Sequence, residues 1–357
     1  MKEADRISRK TGIVRDERYL RHDAGFAHPE SPERLVAIYR MLDDAEMAGK
    51  FHAIAPRHAT REELERIHRP GYVNLVAETA GKSHFSLDPD TSTVEDSYDT
   101  ALLAAGGVCN AIDSIVSGEV TNAFALIRPP GHHAEADRAA GFCLFNNIAV
   151  GARYATARHG MKKVLIVDWD LHHGNGTQHS FYEDADILYF STHQYPYYPG
   201  TGALGETGRG KGLGYTINVP LSPGAGDGEY LSIFRRVLKP VALQFKPDMV
   251  MVSAGFDIYY QDPLGAMEVT PGGFACLTRI LLDIADACCG GKLLMVLEGG
   301  YNTEGEAASV QAVLLEMHGD TRLTEADLDK IEIEERHCRD AALRPVVEKI
   351  KPYWQFS

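Results

Sequence analysis

Short apolar runs return six times between residues 123 and 297, at 123–127, 164–167, 187–190, 215–219, 249–252 and 293–297. Each is too short for a helix, several are rich in β-branched residues, and most do not alternate apolar with polar. That is the pattern of a strand buried on both faces of a parallel sheet. Helix-like stretches at 148–159, 230–244 and 272–289 separate most of them. The alternation predicts one α/β domain with helices on both faces of the sheet.

Upstream, Ser31-Pro32 opens an apolar-periodic helix, and Thr60-Arg61-Glu62-Glu63 has the form of a capping box. An Ala-rich helix is expected over 98–117. Residues 1–30 read as a surface arm and loop, and 81–93 as a loop. From Asp320 the chain is charged and helical, closing on Pro352-Tyr353-Trp354. A single domain over 1–357 is expected, with a core at about 11–315 and a tail at about 320–357 that packs on the domain or on a neighbouring subunit.

At 44% hydrophobic and 24% charged over 357 residues, the chain can bury a full core. Its net charge of −14 argues against a nucleic-acid partner. The polar start and the absence of an apolar run near the roughly 18–20 residues of a membrane span predict a cytoplasmic protein without a membrane partner. Six scattered cysteines (Cys109, Cys143, Cys276, Cys288, Cys289, Cys338) read as reduced thiols.

The ends of these strand-like runs are more specific. They lead into RPPGHH, DWDLHH, STHQYPYYPGTG, SAGFD and EGGY. Ligands of open α/β sheets bind outside the carboxyl ends of the strands. Asp168, Asp170 and His172 alternate along one strand end and project to one side. Such a group is costly to bury without a cation. With Asp257 from a separate strand, Asp170 and His172 make a ligand set that suits Zn²⁺ and leaves a position for water. His132-His133, on a stiff Pro-Pro-Gly turn, would move protons; Asp168 and Asn175 would orient the two imidazoles. Tyr301 would donate to an oxyanion, and Phe142, Tyr197 and Tyr198 would wall an apolar channel. Taken singly, each of these has a plain reading as a capped strand end, a surface turn or a packing aromatic.

In this order, RPPGHH, GFCLFNN, VDWDLHHGNGTQ, SAGFD, DPLG and LEGGYN closely resemble the zinc-dependent histone deacetylases. The likeness runs from about Thr11 to about residue 315. It is nearest the class II enzymes and their bacterial relatives, because Asn175 stands where class I members usually carry Asp. The resemblance implies the three-layer α/β/α arginase/deacetylase fold, with a mainly parallel sheet of about eight strands. It implies Zn²⁺ on Asp170, His172 and Asp257, and His133 as general base and acid paired with Asn175. His132 would pair with Asp168 and act electrostatically, while Tyr301 polarises the amide carbonyl. Phe142 and Tyr198 would flank an acyl-lysine tunnel with Gly141 against the substrate chain. Family members also hold structural K⁺: here a first site would use Asp168, Asp170, His172 and Ser191, and a second Phe181, Asp184, Ile187 and Tyr215.

Tyr301 is kept where class IIa enzymes have His, so a competent catalyst is expected. Tyr198 replaces a common Phe and adds a hydroxyl at the tunnel mouth. Leu264 stands where the polyamine-specific relative has Glu, which tilts the reading towards lysine. The expected activity is removal of acetyl or longer acyl groups from lysine in a protein or peptide by metal-activated water. Cleavage of an acetylpolyamine or other acetylated small amine is the alternative. A binuclear manganese ureohydrolase of the arginase type would need carboxylates where this chain has Gly174 and Gly255. A non-catalytic acyl-lysine binder would be favoured by loss of a ligand, a tandem His or the Tyr, and none is lost. Homo-oligomerisation is left open.

Overall fold

In the structure, a computed structural model that describes residues 9–25, 28–321, 323–334 and 339–356, the apolar runs do become strands. They are β1 (Thr11–Val14), β2 (His52–Ile54), β3 (Phe85–Asp88), β4 (Thr91–Thr93), β5 (Asn122–Ala125), β6 (Val164–Asp168), β7 (Ile187–Gln194), β8 (Thr216–Leu221), β9 (Met249–Ala254) and β10 (Leu293–Leu297). Among the described residues, eight of them form one sheet in the order β2-β1-β5-β10-β9-β6-β7-β8, with every pair parallel. β5, β6, β7, β9 and β10 are buried along their whole length, as strands covered by helices on both faces must be.

The order carries a functional consequence. The five runs whose ends carry the polar motifs belong to β5, β10, β9, β6 and β7, which are consecutive neighbours in the sheet. Parallel pairing points all five carboxyl ends the same way, so segments far apart in sequence meet at one edge.

Several expectations are corrected. Residues 11–14 are not part of a surface arm: β1 is wholly buried between β2 and β5. Four residues interrupted by Gly12 are too few for periodicity to register. Residues 81–93 are not merely a loop, because β3 and β4 pair antiparallel within them. The helix expected over 230–244 is an α-turn (Asp227–Ile233), a π-helical turn (Phe234–Leu238) and a second α-segment (Lys239–Phe245). Pro240 has no N–H to give the preceding turn, and the backbone widens just before it. Tyr215 falls one residue before β8.

The 20-residue helix Ser97–Val116 is long and apolar enough to cross a bilayer, but it is mostly buried here, packed on β1, β5 and the helix Asn147–His159. The capping box at Thr60 is formed, its hydroxyl accepting from Glu63 N–H and Glu63 Oε2 accepting from Thr60 N–H. The tail contains helices Glu325–Glu334 and Arg339–Ile350. The second lies along β8, and Trp354 is buried with its indole N–H 2.8 Å from Gly214 O. The tail thus packs on the domain, beside the edge strand β8. The five described cysteines are free thiols; Cys338 lies outside the described residues.

Candidate active site

At the end of β6 the backbone turns so that Asp170 and His172 face Asp257, which follows β9. His172 Nδ1 lies 3.2 Å from Asp170 Oδ1 and 3.0 Å from Asp257 Oδ2. One ligand atom from each residue falls within 4.8 Å of the others. Both carboxylates are fully buried, and the His172 side chain is 12% exposed. Their other oxygens are placed by backbone: Asp257 Oδ1 accepts from Leu171 N–H at 2.8 Å and Asp170 Oδ2 from Gly299 N–H at 2.9 Å.

The electrostatics of this cluster call for a cation. Burial and the neighbouring Asp170 charge push Asp257 up to about 7. Burial also opposes the His172 imidazolium, yet hydrogen bonds to Asp170 and Asp257 outweigh it and hold that group at about 9. Two buried carboxylates therefore take up a proton on the imidazole, and a divalent ion would replace that proton. A Cβ at Gly255 would collide with the Asp170 carboxylate, and one at Gly299 would sit 2.6 Å from Asp257 Oδ2. Glycine at these two positions makes the space in which the carboxylates converge. The donor set of two carboxylates and one imidazole fits Zn²⁺. A Cβ at Gly174 would likewise strike Asp168, so neither Gly174 nor Gly255 leaves room for the extra carboxylates of a binuclear manganese site.

The Pro129–Gly131 turn after β5 lays the tandem histidines beside this cluster, ring centroids 4.0 Å apart. His132 Nδ1 is 3.2 Å from Asp168 Oδ2, and Asp168 also accepts from the Tyr189 hydroxyl at 2.9 Å. His133 Nδ1 is 2.7 Å from Asn175 Oδ1. The two imidazoles are driven apart. Burial disfavours charge on both, but the carboxylates of Asp170, Asp168 and Glu298 raise His132 to about 10. His133, flanked by His132 and His172, is held well below the usual histidine range. The surrounding charges thus favour a proton on His132 and disfavour one on His133.

Tyr301 follows β10. Its ring meets the Phe142 ring edge-on at 6.0 Å and lies 5.2 Å from the Arg34 guanidinium, and burial pushes its phenol upward. Tyr198 stands edge-on to His133 at 5.1 Å and to His172 at 6.0 Å, and the residue is 41% exposed. Tyr197 stacks on His172 at 5.7 Å and donates to Leu264 O at 3.0 Å. Gly141 lies directly beneath the His133 ring. Every residue expected at the zinc cluster, the histidine pair and the channel is thus brought to one edge.

The proposed cation-site residues are placed less distinctively. Asp168 pairs in register with Ser191, whose hydroxyl is bonded to His193 at 2.9 Å. Phe181 O accepts from Asp184 N–H, Tyr215 O accepts from Tyr189 N–H, and Ile187 opens β7. The Asp184 carboxylate is paired with Arg153 at 2.6 Å, which competes with any cation.

Four participants escape a reading by motif. Glu298 anchors the histidine turn, accepting from Gly131 and His132 N–H at 2.7 and 3.1 Å and from the Ser253 hydroxyl at 3.0 Å. Its oxygens are used in this way although His132, Cys143 and Glu298 also converge closely enough to suggest a metal group. Arg34, from a helix 264 positions earlier, donates to Glu298 O at 2.6 Å. Asp90 and Thr91, in the β3–β4 hairpin, accept from Gly141 and Phe142 N–H, both at 3.1 Å. Only Glu298 lies within a motif of the strand ends, where its place before two glycines gives no sign of this role.

Comparison with known proteins shows the family to which the domain belongs. The histone deacetylase domain matches residues 28–317. The chain is 42% identical over 83% of its length to a probable deacetylase of Archaeoglobus fulgidus, covering 82% of that protein. It is 44% identical over 87% of its length to histone deacetylase 15 of Arabidopsis thaliana, and 41% identical over 82% to the human polyamine deacetylase HDAC10. It spans 57% and 45% of those two proteins, so it corresponds to a part of each. The crystal structure of the HDA15 HD domain superposes with a TM-score of 0.87 at 40% identity, covering 98% of this chain and 96% of that one. The chain belongs to the histone deacetylase family of amide hydrolases.

Proposed function

We propose that this protein is a zinc-dependent deacylase of acetyl-lysine, and of longer acyl-lysine, in a protein or peptide. The observation that carries the reading is the convergence of Asp170, His172 and Asp257 beside the His132–His133 pair, each imidazole oriented by its own partner. Asp170, His172 and Asp257 would hold the metal, which when bound supplies Lewis acidity and lowers the pKa of a coordinated water. The chain's own groups perform the rest. His133, with its Nδ1 proton on Asn175, offers Nε2 to take a proton from the attacking water and return it to the departing amine. His132 remains charged and stabilises negative charge as it develops. Tyr301 donates its phenolic proton in a hydrogen bond to the amide oxygen. Phe142 and Tyr198 hold the aliphatic stem of the lysine between them and exclude water. Structural K⁺ on Asp168, Asp170, His172 and Ser191, and on Phe181, Asp184, Ile187 and Tyr215, completes the proposal on the strength of the family resemblance.

Leu264 favours lysine over a polyamine, because the residue whose backbone carbonyl receives the Tyr197 hydroxyl carries no carboxylate at the mouth. The similarity to a polyamine deacetylase keeps an acetylated small amine as the second reading. The test compares kcat/KM on an acetyl-lysine peptide and an acetylated polyamine, with Asp257→Ala as control. Faster peptide turnover that is lost in the variant supports the proposal. A preference for the polyamine would overturn the substrate choice, and activity surviving in Asp257→Ala would overturn the ligand set.

A further inference from the structure

The partner of His133 is a neutral amide, and an amide can turn either end towards an imidazole. With Oδ1 facing the ring, Asn175 holds the proton on His133 Nδ1 and leaves Nε2 free as a base. With Nδ2 facing it, the tautomer reverses and Nε2 carries the proton. Asn175 alone does not choose.

A third residue makes the choice. Asn175 Nδ2 lies 2.7 Å from Glu135 Oε1. A carboxylate can only accept, so the NH₂ end of the amide must face Glu135 and the carbonyl end must face His133. His133 Nδ1, 2.7 Å from that carbonyl oxygen, must then be the protonated nitrogen. The acceptor-only chemistry of Glu135 fixes the orientation of the amide by itself.

Glu135 is itself held firmly. Its side chain is 7% exposed. Its backbone N–H donates to Arg138 O at 2.9 Å, and its backbone oxygen lies 2.9 Å from His68 Nδ1. His68 Nε2 accepts from Asn146 N–H at 2.9 Å, so His68 must be protonated on Nδ1 and donate to Glu135. The same Oε1 also meets His179 Nδ1 at 2.8 Å and Arg138 Nη2 at 3.4 Å, both partly exposed donors, and Oε2 lies 3.0 Å from His179 Nδ1. Neither of these two offers a competing acceptor to Asn175.

We infer that Glu135 is a positioning residue that sets the tautomer of His133 through Asn175, so that a dyad without a carboxylate still presents Nε2 as its base. The inference rests on the proposed role of His133. Its test therefore reads the tautomer directly as well as the rate.

Glu135→Leu removes the acceptor and should lower kcat about 100-fold with KM changed less than about twofold. Long-range ¹H–¹⁵N spectra of the metal-free protein should show His133 passing from the Nδ1–H form to a mixture. Glu135→Gln, whose Oε1 can still accept from Asn175, should recover most of both. An independent pair guards against misfolding of the leucine variant. Asn175→Asp places two carboxylates in contact and should be poorly active. Asn175→Asp with Glu135→Gln lets the new amide donate to the new carboxylate and should recover about tenfold or more. Wild-type rate in Glu135→Leu would overturn the inference. So would a lost rate with His133 still wholly Nδ1–H, or a double variant no better than Asn175→Asp. Should His133 prove not to be the base, the spectra would still report whether Glu135 sets its tautomer.

Discussion

Phe142 has φ +68°, a left-handed backbone angle that costs a residue with a Cβ about 1–2 kcal/mol. It follows Gly141, also left-handed at φ +55°, and the pair is held by Asp90 and Thr91 of the β3–β4 hairpin. Strain of this kind persists where surrounding bonds over-determine it, and here it turns the Phe142 ring onto Tyr301. The same economy of space governs the carboxylates. Because a Cβ at Gly255 would meet the Asp170 carboxylate, Gly255→Ala should weaken zinc affinity about 10- to 100-fold, measured by competition with a chromophoric chelator. Unchanged affinity would show that Asp170 has slack in the cluster. The ligands themselves were legible from D-x-H and the second Asp, but not for the reason expected: β6 ends at Asp168, and Asp170 and His172 are aligned by the turn beyond it rather than by alternation along the strand. Glu135 and Glu298 were not legible, because their roles depend on loops from β5, β6, β9 and β10 meeting.

The Glu33–Asp43 helix shows what an element contributes beyond its own stability. Arg34 leaves that helix to bond Glu298 O, and pairs with Glu30 at 3.2 Å and Glu306 at 2.6 Å, all three side chains wholly buried. Burial opposes an ionised Glu30, but the neighbouring Arg128 charge overrides it and holds that carboxyl at about 2. Arg34→Met would leave buried acids short of a partner and free the loop that carries Tyr301. A loss of about 3–5 kcal/mol in urea unfolding is expected. A loss under about 1 kcal/mol would mean that the surrounding groups satisfy themselves without it. The helix was readable from its apolar period, although Pro32, and not Ser31, stands at its N-cap and no side chain caps it. The purpose of its buried arginine was not, since periodicity predicts which residues turn inward and is silent on what a charge meets there. β1 escaped for a different reason, being four residues long and identified only by the partners on either side of it.

Over the whole molecule, buried imidazoles tie stability to pH. Burial lowers His22, His68 and His193 to about 4, so the folded chain keeps them neutral where the unfolded chain takes up protons. Their contribution is present above the unfolded value of about 6.5 and is lost as pH falls towards about 4. The stability advantage of wild type over His68→Gln should therefore shrink by about 1 kcal/mol per pH unit across that window, followed by urea unfolding. A constant difference would show that His68 acts only through its hydrogen bonds. The sheet itself was largely legible, because six apolar runs and the helices between them specify a parallel α/β layer whatever their order. The order, which brings five motif-bearing ends together, depends on long-range pairing and came only from the structure.

On the proposed mechanism, Asp170, His172 and Asp257 would hold the one metal ion that the hydrolysis requires. Titrating zinc into the metal-free protein while following acetyl-lysine peptide turnover tests this most directly. Activity should rise linearly, reach its plateau at one equivalent, and stay absent in Asp257→Ala across the same range. A plateau only at two equivalents, or full turnover before any metal is added, would contradict it.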